Sequence, residues 1–214
     1  MKKENIQYIF IYLVIILITL AIIGAVAYCV YAQITWMHYS KDDNLKGYVQ
    51  KIEELQNKKD KTAMDYIDIG NNYYALRYYD KSISYYQKAL SLDNNNYVIY
   101  RNIGVSLRDK GDYKNAEVWF LKALEKNNSQ SSLYLEIADI YKYFPQDYYK
   151  YTQEGILLEG LKVLPNDFNL TLALARYYGD IKDINKATEY YNKAITLKPD
   201  ATDIKDELQK LTQP

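Results

Sequence analysis

From residue 63 onward, apolar and polar residues follow a helical pattern that repeats every 34 residues. Four residues of one predicted helix return at this distance: Tyr66, Ile69, Gly70 and Tyr73 are followed by Tyr100, Ile103, Gly104 and Leu107. A second predicted helix repeats a small–large–small face, as Ser82, Tyr86 and Ala89, then Ala116, Phe120 and Ala123, then Ala187, Tyr191 and Ala194. Small residues let a neighbouring helix approach closely, and the ring fills the remaining space. The pattern predicts an all-α, stacked array of helix pairs.

The pattern resembles the tetratricopeptide repeat (TPR). In that family helix A carries an aromatic residue, Leu, Gly and Tyr, and helix B carries Ala, an aromatic residue, Ala and Pro. The second unit matches best, with Tyr100, Ile103, Gly104, Leu107, Gly111, Tyr113, Ala116, Phe120 and Ala123. The resemblance implies a TPR-type α-solenoid of about four repeats, over residues 63–96, 97–130, 131–167 and 168–199. The third repeat fits only with three extra residues near Phe144-Pro145-Gln146.

Residues 200–214 are predicted to form a capping helix and a short tail. Ile204, Leu208 and Leu211 make an apolar stripe at helical spacing, and charged residues cover the other side. Because the last unit of a solenoid needs a polar outer face, this segment suits the end of the array.

The amino end has a different pattern. After a tail of residues 1–5, residues 6–32 are almost wholly apolar, and no charged residue lies between Glu4 and Lys41. This run exceeds the roughly 20 residues that a transmembrane helix needs, and Tyr31 and Trp36 suit an interfacial aromatic belt. We expect an uncleaved single-pass cell-membrane anchor with a cytoplasmic amino end and extracytoplasmic repeats. Ala25-Val26-Ala27 resembles a cleavage site, so a secreted, soluble TPR binder stays open.

Residues 33–62 are predicted to form a juxtamembrane linker or helix. Leu45, Tyr48, Ile52 and Leu55 are spaced as one face of an amphipathic helix. The segment spans fewer than two heptads, so a spacer is favoured over a coiled coil.

Composition narrows the possible functions. The chain has 27 basic and 27 acidic residues, so its zero net charge gives no case for nucleic-acid binding. The sequence shows no catalytic, cofactor or metal site, because its single Cys and single His38 have no metal-binding companions and no phosphate-binding loop is present. We therefore expect a protein that is not an enzyme.

The resemblance also indicates a candidate peptide groove lined by helix A. The corresponding residues are Asn71, Tyr74, Arg101, Val105, Arg108, Asp109, Asp139, Lys142, Tyr143, Arg176 and Asp180. Three of the four arginines of the chain lie in this set. They suit bidentate contact with a partner's carboxylates, or else they pair with Asp109, Asp139 or Asp180 and hold the stack.

One TPR subtype does not fit. The two-carboxylate clamp that binds acidic chaperone tails needs a Lys where this chain has Ile67, and cations where it has Ser132 and Glu136.

Taken together, the anchor, the repeats and the groove predict a membrane-anchored TPR adaptor that binds a segment of another protein. The alternative of a self-associating structural membrane protein, a homo-oligomer, stays open.

Overall fold

The computed structural model describes residues 3–143 and 152–212. Over this part of the chain it contains eleven α-helices and no strand, which confirms the all-α prediction. Contacts divide the chain into two units, Met1–Lys58 and Lys59–Pro214. The predicted insertion near Phe144-Pro145-Gln146 lies outside the described residues.

The first unit consists of α1 (Lys3–Lys41) and α2 (Lys46–Asn57). Within α1, the 27 residues of Leu13–Tyr39 form a candidate membrane span, and none of these residues is buried. At a rise of 1.5 Å per residue this segment is about 40 Å long, more than the roughly 30 Å of a bilayer's hydrocarbon core. The indole N–H of Trp36 donates to the Glu53 carboxylate of α2 over 3.4 Å.

The apolar face of α2 differs from the predicted stripe at one position. Ile52 and Leu55 are buried as expected, but Tyr48 is exposed and Val49 is buried instead. Val49 lies three residues before Ile52 and so shares its side of the helix. The prediction that Tyr48 lies on the buried face of α2 is therefore wrong.

The second unit is a stack of helix pairs with one extra helix at its end. The helices are α3 (Ala63–Ala75), α4 (Tyr79–Leu92), α5 (Tyr97–Lys110), α6 (Tyr113–Lys126), α7 (Ser131–Tyr143), α8 (Gln153–Val163), α9 (Phe168–Asp180), α10 (Ile184–Leu197) and α11 (Thr202–Thr212). The odd-numbered helices α3 to α9 are helices A, and α4 to α10 are helices B. One apolar core runs from Ile67 to Ile204, so α11 closes the stack as the predicted cap.

Helix ends follow local sequence signals. The side chains of Thr62, Asn96, Asp112, Thr152, Asp167 and Asp183 each accept a backbone N–H at a helix start. Gly111 ends α5 in the left-handed region, with φ 92°. The same turn holds Arg77 in the first repeat and Lys182 in the fourth, each with φ 61°. The turn therefore keeps its left-handed geometry where glycine is missing.

The repeated small residues let the two helices of a pair touch. A Cβ atom on Gly70 would lie 2.5 Å from the Tyr86 ring, and one on Gly104 would lie 2.8 Å from the Phe120 ring. Gly160 is enclosed in the same way by Tyr134 and Leu170. Glycine is required at these positions because the aromatic ring occupies the space of a side chain.

Consecutive repeats are also joined by polar contacts 24 residues apart. The Ser82 and Ser106 hydroxyls lie 3.1 Å apart, the Tyr141 hydroxyl donates to Glu117 over 2.5 Å, and the Tyr178 hydroxyl donates to Glu154 over 2.5 Å. Burial, together with the Glu154 carboxylate, raises the pKa of Tyr178. Each contact runs from helix B of one repeat to helix A of the next, so it fixes how the repeats stack.

Candidate peptide-binding groove

The predicted groove residues form contacts between neighbouring helices A. At the first junction, the Tyr74 hydroxyl of α3 donates to the Asp109 carboxylate of α5. Burial, followed by the hydrogen bond to Asp109, raises the pKa of Tyr74 to about 12. Asn71 accepts from the Tyr86 hydroxyl over 2.8 Å and from the Asn102 amide over 3.3 Å. Tyr74 and Asn71 are thus held in place by the stack.

Two arginines of α5 share one carboxylate of α7. Arg101 donates to Glu136 Oε1 over 2.6 Å, and Arg108 donates to Glu136 Oε2 and also to Asp109 Oδ1 over 2.9 Å. Burial alone would lower the pKa of Arg108, but the charges of Glu136 and Asp109 outweigh burial and raise it. The Glu136 side chain is only 14% exposed. These ion pairs therefore join α5 to α7 within the stack, although they lie at its surface.

The third arginine pairs with the capping helix. Arg176 of α9 holds both oxygens of Glu207 on α11, over 3.0 and 2.7 Å, and the Tyr191 hydroxyl donates to the same carboxylate over 3.0 Å. The hydrogen bond from Arg176 is the main cause of the lowered pKa of Glu207. Of the two interpretations of the arginines, the structure therefore shows pairing within the chain. The partners are Glu136 and Glu207, with Asp109 as a second partner of Arg108.

Sequence reasoning missed Glu136 and Glu207 as partners, although a signal was present. Each glutamate directly precedes a core residue of its helix, Ile137 in α7 and Leu208 in α11. These positions correspond in the repeat register. A glutamate there faces the helix A that comes before it, where an arginine lies in both cases.

The last junction between helices A contains an open cavity, which we call the α7–α9 cavity. Its volume is ≈ 480 Å³.

 A separate cavity of ≈ 830 Å³ lies between α8 and α10. Five predicted groove residues line the α7–α9 cavity: Arg108, Asp139, Lys142, Arg176 and Asp180. Lys142 and Asp180 form an exposed ion pair of 3.2 Å across it.

The other predicted residues lie outside this cavity. Asn71, Tyr74, Arg101, Val105 and Asp109 belong to α3 and α5 and do not line it. Tyr143 is at the last position of α7 and is 67% exposed. The structure therefore brings together the second half of the predicted set, while the first half forms the contacts between α3, α5 and α7.

Models of the tetratricopeptide repeat match the chain at residues 63–96, 98–128 and 172–201. These segments of the chain are tetratricopeptide repeats. TPR repeats are in general non-catalytic scaffolds for protein interaction.

Solved structures share the TPR fold at low sequence identity. A MamA protein is 21% identical with a TM-score of 0.55, over 70% of this chain and 80% of MamA. MamA from Desulfovibrio magneticus RS-1 is 18% identical with a TM-score of 0.53, over 72% and 85%. The Cut9–Hcn1 hetero-tetramer of the APC/C is 19% identical with a TM-score of 0.54, over 72% of this chain and 30% of the other. At these identities the similarity concerns the fold alone.

Proposed function

We propose that this TPR protein is a membrane-anchored adaptor that binds a segment of a partner protein along its helices A. The α7–α9 cavity is the main observation in support, because it opens among charged and aromatic side chains within the predicted groove. The interaction role of the TPR family supports the same function. The anchor would confine the groove to the membrane plane and so raise its effective concentration for a membrane-bound partner.

Site-specific photocrosslinking tests where the partner binds. We expect p-benzoylphenylalanine at Tyr143, which is exposed at the end of α7, to crosslink a second protein in intact membranes. The matched control is Val118, which is 44% exposed on helix B α6. Mass spectrometry of the products would identify the partner. Crosslinks from Val118 alone would contradict binding along the helices A, and crosslinks only to copies of this chain would favour the structural alternative.

Membrane fractionation tests the anchor. The full chain is expected to remain in the membrane pellet after alkaline extraction, because Leu13–Tyr39 is long and apolar enough to cross a bilayer. External protease added to spheroplasts should then digest the repeats, which we place outside the cytoplasm. A soluble product that begins near Tyr28 would instead indicate cleavage and a secreted binder. Repeats protected until lysis would reverse the proposed orientation.

A further inference from the structure

The charged side chains that line the α7–α9 cavity, counted together with their ion-pair partners, comprise five carboxylates and four cations. Four cations line or support it, and each has a carboxylate partner in the structure: Arg101 with Glu136, Arg108 with Asp109, Lys142 with Asp180, and Arg176 with Glu207. The fifth carboxylate is Asp139. It forms no hydrogen bond or ion pair with any of the described residues, although its charge contributes to the raised pKa of Arg108.

The walls around Asp139 suit a long side chain with a charged end. Leu135, Ala138, Ala173 and the half-buried ring of Tyr177 supply apolar surface beside the carboxylate. Lysine and arginine bury aliphatic stems against such surface while their charged ends stay at polar groups. A volume of ≈ 480 Å³ is enough for such a side chain.

On the basis of the proposed function, we propose that the α7–α9 cavity receives a lysine or arginine side chain of the partner segment, with its cation against Asp139. A basic side chain would supply the missing positive charge without breaking an existing pair. An acidic side chain would have to displace Glu136 or Glu207 from an arginine and would be repelled by Asp139. The partner segment is therefore basic at this position, in contrast to the acidic ligands of the two-carboxylate clamp.

Peptide selection tests this charge preference. A phage-displayed library of random dodecapeptides would be selected against the full chain in detergent micelles. We expect the selected peptides to share a Lys or Arg at one position, and we expect Asp139→Asn to weaken their binding about ten-fold or more, as for a lost charge-assisted hydrogen bond. Folding should be unchanged, because Asp139 is exposed and has no bonded partner among the described residues.

The matched control is Glu125→Gln, which removes one exposed negative charge from helix B α6. It is expected to leave peptide affinity unchanged, so a ten-fold loss only in Asp139→Asn would support the proposal. Enrichment of Asp, Glu or a free carboxylate would overturn the basic preference, as would equal affinity of both variants. If the selected peptides did not crosslink to p-benzoylphenylalanine at Tyr143, this would contradict binding along the helices A. That result is separate from a failure of the charge preference.

Discussion

Replacing Gly104 with leucine is expected to destabilise the repeat array strongly. A Cβ atom at this position would lie 2.8 Å from the Phe120 ring, and the remaining leucine carbons would need space that α6 occupies. Overpacking a tight core costs about 1–3 kcal/mol and sometimes more, and here it would also separate the two helices of the second repeat. Because each repeat is stabilised by its neighbours, damage in the second repeat should reach the first and third.

Urea unfolding of the full chain, followed by circular dichroism, would measure this effect. The matched control is Gly47→Leu in α2, where a Cβ atom would meet nothing within 4 Å. We expect the urea concentration at the midpoint of unfolding to fall for Gly104→Leu and to stay nearly unchanged for Gly47→Leu. Equal midpoints would show that the contact between Gly104 and Phe120 does not limit the packing of α5 on α6.

The period of 34 residues was sufficient to predict the helix pairs and their core. Gly70, Gly104 and Gly160 all contact aromatic rings, as their small–large pattern indicates. Such contacts repeat with the sequence, because each lies within a helix pair or between adjacent pairs. The fold could therefore be predicted from local spacing together with the TPR resemblance.

The partners of the groove arginines could not be predicted in the same way. Glu136 lies 35 residues from Arg101 and 28 from Arg108, so the pairs depend on the angle and offset between α5 and α7. The repeat register places Glu136 and Glu207 on the side of the preceding helix A, but it does not specify which of several nearby carboxylates an arginine reaches. The exposed turn residues Arg77 and Lys182 show a related limit, since their left-handed geometry comes from the turn rather than from their own preference.

These pairs change what is expected of the groove arginines. If an arginine had no partner within the chain and bound a partner protein's carboxylate, replacing it would weaken binding without lowering the stability of the fold. Arg101 and Arg108 instead share the poorly exposed Glu136, and the Arg101 Nε is itself buried without a hydrogen-bond partner among the described residues. Loss of Glu136 would remove the ion-pair partner of Arg101 and leave Arg108 with Asp109 alone, so the largest effect of this cluster should be on folding.

We expect Glu136→Ala to lower the free energy of unfolding by about 2–4 kcal/mol, somewhat less than for a fully buried pair because the arginines retain some solvent. The matched control is Asp180→Ala, which breaks the exposed pair with Lys142 and should cost about 0–1 kcal/mol. Urea unfolding of both variants and of Arg108→Ala would measure these differences. A double variant of Arg108 and Glu136 should lose less stability than the sum of the single changes, because the two residues share one contact. Additive losses would show that the pair does not stabilise the junction, and the arginines would again be candidates for direct contact with a partner's carboxylates.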